Sequence, residues 1–343
     1  MSSKLTATQI NHSRELIDQS KNIVITSHKN PDGDAVGSAL ALYLFLKSQG
    51  KNVTAILPDG APEFLQWLPD YNEIIIFDQD TEKANDAISK ADLIFSLDYN
   101  HLGRVGVNMQ NALIKATANF ILIDHHQQPG DFAKVTYSDT SACSTCEMIY
   151  HFIAESYGKS VIDIPISTCI YCGIMTDSGS FRFPSVSQST HNIVGELIAL
   201  GLDHALVHRE VYDTNLLDRL KLVGYALSEK LEVITDCDAA IIWLTMEELK
   251  LFNHRQGDTE SLVNQALSIK GIKLAVFVRE SSNEIKLSFR SKGNYDVNLF
   301  AKTHWQGGGH INASGGASYT DMPTTLAKLK HLIHDNRSQI TAS

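Results

Sequence analysis

The sequence predicts an α/β protein: a parallel sheet with helices on both faces, followed by a smaller α+β domain. Three observations predict it. Short apolar runs alternate with helical segments through the first part of the chain, the pattern of strand–helix–strand units. Crossovers of this kind place every strand's carboxyl end on one edge, and three of the five predicted strands end there in His or Asp. Beyond residue 236 the pattern changes, and Glu284-Ile-Lys-Leu-Ser-Phe289 alternates as a half-exposed antiparallel strand does.

Residues 9–20 read as a short amphipathic helix leading into the first strand, Ile23-Val-Ile25, which ends at Ser27. His28, Asp32 and Asp34 follow within seven residues, and Pro31 and Gly33 force a tight turn among them. An imidazole and two carboxylates therefore converge at a strand's carboxyl end, the edge where open α/β sheets bind ligands. Such a set suits Mn²⁺, Fe²⁺ or Zn²⁺ better than Ca²⁺. A capped helix start, with Asp32 or Asp34 as N-cap, is the plainer alternative. It explains one acid and leaves His28 and the other acid without a reason.

A helix over 34–49 comes next, then a strand at 52–57 stopped by Pro58-Asp-Gly60. Glu73–Phe77 is a third strand, 81–90 a polar helix, 92–97 a fourth strand ending at Asp98, and 119–123 a fifth ending at Asp124-His-His126. Pro58 and Asp78 are ordinary turn residues. Asp98 or Asp124 alone would be ordinary too, but three strand ends carrying ligand-type residues exceed coincidence. A buried helix at 163–176 runs into a Gly/Ser-rich turn that carries Asp177. Helices follow at 187–200 and, more polar, at 203–232, the latter suited to a connector. After 236 the expected elements are strands at 239–244, 272–278 and 284–289, and a capped helix at 258–267.

Composition bounds the function. Net charge is −10, from 29 basic and 39 acidic residues. A protein that grips long nucleic acid by its phosphates is usually basic, so a polyanionic substrate here is expected to be small, with no long duplex as partner. The start, Met1-Ser-Ser-Lys-Leu-Thr-Ala-Thr-Gln9, has no apolar core of a signal peptide. No run approaches the ~18 apolar residues that span a bilayer, so the expectation is a cytoplasmic protein with no membrane partner. Cys143-Ser-Thr-Cys146 and Cys169-Ile-Tyr-Cys172 have the spacing of a zinc ribbon, yet both pairs fall within predicted helices. Buried free thiols are the favoured reading over structural zinc.

His28-x-Asn-Pro-Asp32-Gly-Asp34, Asp98, Asp124-His125-His126, Asp177 and a late Gly307-Gly-Gly-His310 stand in that order. Together they resemble the DHH phosphoesterase superfamily, named for the triplet found here at 124–126. Ser288-Phe-Arg-Ser-Lys-Gly293, Asp296-Val and Gly307-Gly-Gly-His310-x-Asn-Ala resemble the associated DHHA1 domain. The two-domain length looks like the stand-alone oligoribonuclease/pAp-phosphatase branch. The resemblance implies a DHH catalytic domain over 1–202, a helical connector over 203–235 and a DHHA1 substrate-binding domain over 236–343.

It further implies two divalent metal ions, Mn²⁺ above others. His28, Asp32 and Asp98 would hold one, and Asp34, Asp98, His125 and Asp177 the second, with Asp98 shared. His126 would face the substrate phosphate, Asp124 would orient the histidine pair, and Arg104 would steady a phosphate. Two such ions activate water and withdraw charge from phosphorus. In the second domain, Gly307, Gly308 and Gly309 would bring backbone N–H groups close to an anion, or form only a flexible loop. Arg290 and His310 would hold the far end of the substrate, with Lys292 a weaker candidate. Trp305 either stacks on a base or fills core.

The expected activity is hydrolysis of short oligoribonucleotides to mononucleotides, with 3′-phosphoadenosine 5′-phosphate (pAp) a second substrate. Cyclic di-AMP and its product pApA are the first alternative, a pyrophosphatase or exopolyphosphatase the second, and a nucleotide-binding protein without activity the third. A homodimer is compatible with the branch.

Overall fold

The computed structural model describes residues 5–343. The reading of Met1–Lys4 as part of a start without an apolar run lies outside them. The chain forms two compact units, one running to Thr214 and one over Asn215–Ser343.

In the first unit the elements run α1 (Ala7–Gln19), β1 (Asn22–Thr26), α2 (Gly33–Ser48), β2 (Asn52–Leu57), β3 (Ile75–Ile76), α3 (Thr81–Lys90), β4 (Leu93–Leu97), α4 (Val107–Lys115), β5 (Asn119–Asp124), β6 (Val135–Ser138), α5 (Thr145–Tyr157), α6 (Ile164–Asp177), α7 (Gln188–Ala199) and α8 (His204–Tyr212). The strands form a sheet of order β3-β2-β1-β4-β5-β6, every neighbouring pair parallel. The expected parallel sheet is therefore present, with one strand that the sequence did not announce. β6 is four residues long and follows β5 after a short loop without a helix, so no strand–helix rhythm marks it. The strand expected at 73–77 is reduced to Ile75–Ile76, because Tyr71–Glu73 coil into a 3-10 turn.

Sheet order reverses between β1 and β4, and at such a switch point the loops leaving neighbouring strands diverge and open a crevice. Side chains alternate across the sheet. Ile23 and Ile25 of β1 enter one core with α2, α5 and α6, while Val24 enters the other with α3 and α4. α2 is buried on nearly every side, which explains its continuous apolar run. Two glycines permit its closest contacts. A Cβ at Gly37 would come 2.6 Å from the Cys169 carbonyl oxygen, and one on Gly173 of α6 would come 2.1 Å from Cys146 Sγ.

The second unit runs α9 (Leu217–Glu229), β7 (Leu231–Ile234), β8 (Ala239–Leu244), α10 (Met246–Leu251), α11 (Leu262–Leu267), β9 (Leu274–Glu280), β10 (Ile285–Ser291), α12 (Val297–His304), β11 (Gly308–His310), β12 (Ala313–Ser318), α13 (Met322–Asp335) and α14 (Arg337–Ala342). Its sheet has the order β11-β12-β10-β9-β8-β7, with β8 and β9 parallel and the remaining pairs antiparallel. Leu274, Val276 and Val278 of β9 pack with α12, α13 and α14, and Ala275 and Phe277 with α9, α10 and α11.

Three local expectations differ from what is found. The polar helix expected over 203–232 is two, α8 and α9, broken at 213–216. Asp258 does not cap a helix at 258. Its carboxylate instead accepts from Arg255 N, and α11 begins after Ser261, whose φ of 65° is left-handed. Cys143 lies before α5 rather than inside it, because Ser144 is the N-cap. Cys143, Cys146, Cys169 and Cys172 are buried free thiols, as expected, and burial pushes all four thiols up.

Candidate active site

The site lies where β1, β4 and β5 end. After β1, Asn30 takes a left-handed φ of 53° and its N–H donates to Asp59 Oδ1 at 2.7 Å, which turns the chain before Pro31. Asp32 is the N-cap of α2, accepting from the Asp34 and Ala35 amides at 3.1 Å each. The capping reading is thus correct for Asp32, and the same residue also lies 3.9 Å from His28 Nε2. The cap bonds and the approach to His28 share Asp32 Oδ1. His28 Nδ1 sits 3.0 Å from the Lys29 carbonyl oxygen, which selects Nδ1–H in the neutral ring and turns the Nε2 lone pair toward the acids.

Asp98 follows β4 in a left-handed conformation, φ 62°, uncommon for a residue with a Cβ and concentrated at functional positions. Its Oδ2 is 3.3 Å from His28 Nε2, and its Oδ1 is 3.5 Å from His125 Nε2 and 3.7 Å from His126 Nδ1. Thr145 Oγ1 donates to Oδ1 at 3.0 Å. His125 Nε2 also lies 3.8 Å from Asp34 Oδ2 and 3.6 Å from Asp177 Oδ2. Asp124 Oδ1 holds His126 Nδ1 at 2.7 Å, whereas Asp124 Oδ2 is buried with no hydrogen-bond partner.

Asp34 has supporters that the sequence reading missed. The amides of Thr145 and Cys146, at the start of α5, donate to its two carboxylate oxygens at 2.6 and 2.8 Å. A helix amino terminus carries partial positive charge and unpaired N–H groups, so it favours a carboxylate there. The available signal was Ser144-Thr-Cys-Glu147, a cap followed three residues later by an acid. Nothing in it says which anion the helix would face.

Charge in this pocket is unevenly held. Burial, with repulsion from Asp98 and Asp177, keeps the Asp34 carboxyl well above the ordinary carboxylate range. Burial and the neighbouring acids push Asp177 up to about 6. Burial would raise Asp98 as well, but hydrogen bonds from His125 and His28 outweigh it and hold the carboxyl well below its usual value. Burial opposes a charged ring at His28, yet Asp98 and Asp32 push it up to about 9. Buried carboxylates at this density need counter-charge, and the imidazoles supply it only by taking up protons. Two sets of ligand atoms stand ready for cations instead: His28, Asp32 and Asp98, and Asp34, His125 and Asp177. The donor set, aspartate oxygens with imidazole nitrogens, fits divalent ions of the Mn²⁺ class.

A family model described as the DHH family, N-terminal domain, matches residues 22–174, and one described as the DHHA1 domain matches 247–335. The bifunctional oligoribonuclease and PAP phosphatase NrnA of Bacillus subtilis (strain 168) is 30% identical over 322 residues, 92% of this chain and 95% of that one. The chain belongs to the DHH family. It is accordingly an enzyme, a phosphoesterase. Cyclic-di-AMP phosphodiesterase GdpP of the same organism is 25% identical over 97% of this chain, which spans 50% of that longer protein. Among solved structures, an exopolyphosphatase-related protein from Bacteroides fragilis superposes with a TM-score of 0.94, at 37% identity over 99% of both chains. No helix among the described residues is long and apolar enough to cross a membrane.

The remaining residues singled out in this DHH protein are placed as follows. Arg104 lies in the 3-10 turn Leu102–Val105, half-buried, and its guanidinium has no hydrogen bond or ion pair among the described residues. In the DHHA1 unit, Arg290 of β10 sits opposite Ala313 of β12, and β11 carries Gly308, Gly309 and His310 along the edge of the same sheet. The glycines are not equivalent. A Cβ at Gly307 would come 1.9 Å from the Gly315 carbonyl oxygen, and one at Gly309, with φ 148°, 2.5 Å from that of Ala313. Strand packing therefore requires both. A Cβ at Gly308 would meet nothing closer than 3.5 Å. Trp305 fills core, 1% exposed, with Lys328 Nζ 4.3 Å from its ring centre, so the base-stacking alternative is dropped.

Proposed function

We propose that this enzyme hydrolyses short oligoribonucleotides to mononucleotides, and pAp to AMP, with two divalent ions, Mn²⁺ foremost. The observation that carries the reading is Asp98, whose two oxygens face His28 on one side and His125 on the other at 3.3 and 3.5 Å. One carboxylate so placed serves both sets of ligands. Similarity over nearly full length to a protein named for oligoribonuclease and PAP phosphatase activity supports the substrate class.

His28, Asp32 and Asp98 would hold one ion, and Asp34, Asp98, His125 and Asp177 the other. Bound there, the ions supply Lewis-acid activation of water and charge neutralisation at phosphorus. The chain's own groups do the rest. Thr145 Oγ1 and the α5 amides orient the acids, so that Asp98 and Asp34 present fixed lone pairs. Asp124 keeps a proton on His126 Nδ1, and Nε2 is then the atom that binds a phosphoryl oxygen when protonated, or accepts a proton when neutral. Arg104 brings a fixed cation to a phosphate without having to break an existing ion pair. Arg290, His310 and the edge strand at Gly308 are assigned to the substrate's far end. The connector proposed at 203–235 holds α8 and α9 on either side of Thr214, between a catalytic domain at 1–202 and a substrate-binding domain at 236–343.

Mn²⁺-dependent hydrolysis of a labelled pentaribonucleotide, measured beside cyclic di-AMP, pApA, pAp and pyrophosphate, tests the reading. Stepwise shortening of the RNA, with release of phosphate from pAp, is expected. Activity confined to cyclic di-AMP and pApA would replace it with the signalling-nucleotide reading, which the likeness to GdpP supports. Pyrophosphate turnover alone would overturn the assignment of the DHHA1 residues.

A further inference from the structure

The second unit carries a group of ligand-type side chains that the phosphoesterase chemistry does not use. Asp236 and Cys237 lie in the 3-10 turn Thr235–Cys237 between β7 and β8, and His334 lies in the last turn of α13. Cys237 Sγ is 3.3 Å from His334 Nδ1, which in turn is 3.7 Å from Asp236 Oδ2. All three ligand atoms fall within 4.8 Å of one another. Cys237 is fully buried among the residues beneath the turn, while the Asp236 and His334 side chains are about half exposed, at 49% and 53%. Three chemically different donors thus converge from two elements far apart in sequence, with one side open to water.

The spacing matches what a tetrahedral zinc ion asks of its ligands. Bond lengths of about 2.3 Å to sulfur and about 2.0 Å to nitrogen or oxygen put neighbouring S and N ligands roughly 3.5 Å apart, and N and O ligands roughly 3.3 Å apart. Both observed separations lie within a few tenths of an ångström of these values. We propose that Cys237, His334 and Asp236 form a zinc site with water as fourth ligand, distinct from the aspartate–histidine centre of the first unit. A thiolate with an imidazole selects Zn²⁺ over Mn²⁺ or Mg²⁺, whereas the first unit's centre holds no sulfur ligand. On binding, the Cys237 thiol gives its proton to solvent and the Sγ–Zn bond forms, with no change of oxidation state. Arg337, whose Nη1 is 3.7 Å from Asp236 Oδ2, must yield that carboxylate oxygen to the ion. The bound ion would tie the turn that leads into β8 to the carboxyl end of α13.

Cobalt substitution reads this site apart from the other. A cysteine thiolate on Co²⁺ gives a sulfur-to-metal charge-transfer band in the near ultraviolet, which oxygen and imidazole ligands do not. The full-length protein titrated with Co²⁺ is expected to show this band. It should be absent in Cys237→Ser, weakened in His334→Asn, and displaced by stoichiometric Zn²⁺. Should Cys237→Ser fail to fold by circular dichroism, His334→Asn and Asp236→Asn, both near the surface, carry the comparison. Absence of the band in the parent protein at saturating Co²⁺ would overturn the proposal. So would a band that survives Cys237→Ser, or one left unchanged by both His334→Asn and Asp236→Asn.

Discussion

Thr145→Val tests whether the α5 amino terminus tunes the acids or merely packs beside them. Valine keeps the shape and volume of threonine and leaves both backbone amides on Asp34 in place. Only one interaction disappears, the 3.0 Å hydrogen bond from Thr145 Oγ1 to Asp98 Oδ1. A hydrogen bond to a charged acceptor is worth about 1.5–3 kcal/mol, and Asp98 is fully buried, so water cannot replace the donor. At about 1.4 kcal/mol per factor of ten, the loss corresponds to roughly a 10–100-fold fall in kcat/KM or in apparent metal affinity. Mn²⁺ titrations of phosphodiester hydrolysis on parent, Thr145→Val and Thr145→Ser separate the two quantities. Serine retains the hydroxyl and should recover most of the loss. Equal activity and equal metal dependence in parent and valine variant would refute the idea that this hydroxyl positions Asp98.

Asp98→Asn should abolish hydrolysis of every substrate while leaving the protein folded, as checked by circular dichroism. Arg290→Ala should raise KM for the pentaribonucleotide far more than for a generic phosphodiester; equal losses would break the division of labour between the units. Gly308→Ala, which has room for its Cβ, should leave Tm unchanged yet raise the oligonucleotide KM, whereas Gly307→Ala, 1.9 Å from a carbonyl oxygen, should lower Tm directly. Metal removal should make stability depend on pH. His28 has its pKa raised to about 9 when folded, so it stabilises the metal-free protein fully below about 6.5 and loses that contribution as pH rises through about 9. Asp177, raised to about 6, adds a decrease in the same direction between about 3.8 and 6. Between about pH 3.8 and 9 the Tm of chelator-treated protein should therefore fall as pH rises, and Mn²⁺ should offset the fall; below that window the depressed Asp98 carboxyl acts in the opposite direction, and a Tm that rises with pH within the window would contradict the charge assignment.

Much of this was legible in the chain itself. Strand ends at Ser27, Leu97 and Asp124 are marked by apolar runs that stop at polar turn residues, so both the sheet and the convergence of ligand-type residues could be read there. Asp32 shows that a capping role does not exclude a second one, because a carboxylate has lone pairs enough to cap a helix and face a histidine. Other features had no local signal. β6 is too short to show a period, and the break at 213–216 interrupts a polar stretch whose composition barely changes. The part played by Thr145 arises from a contact across the fold that sequence spacing does not encode. Trp305 beside a glycine block looks the same in sequence whether it faces a ligand or the core, and only its burial decides.

The bonds that complete the aspartate–histidine centre span long stretches of chain. Thr145 and Cys146 reach Asp34 across 111 and 112 residues, and Thr145 reaches Asp98 across 47. Contacts of such separation close large loops, whose entropy is paid before the contact rewards it. The centre can then exist only once β1, β4 and α5 have all docked, and a nascent chain still short of residue 146 has no complete set of ligand supports. On the proposed two-ion reading, cation binding would report that this unit's folding is finished, and by mass action it would pull the last docking step to completion.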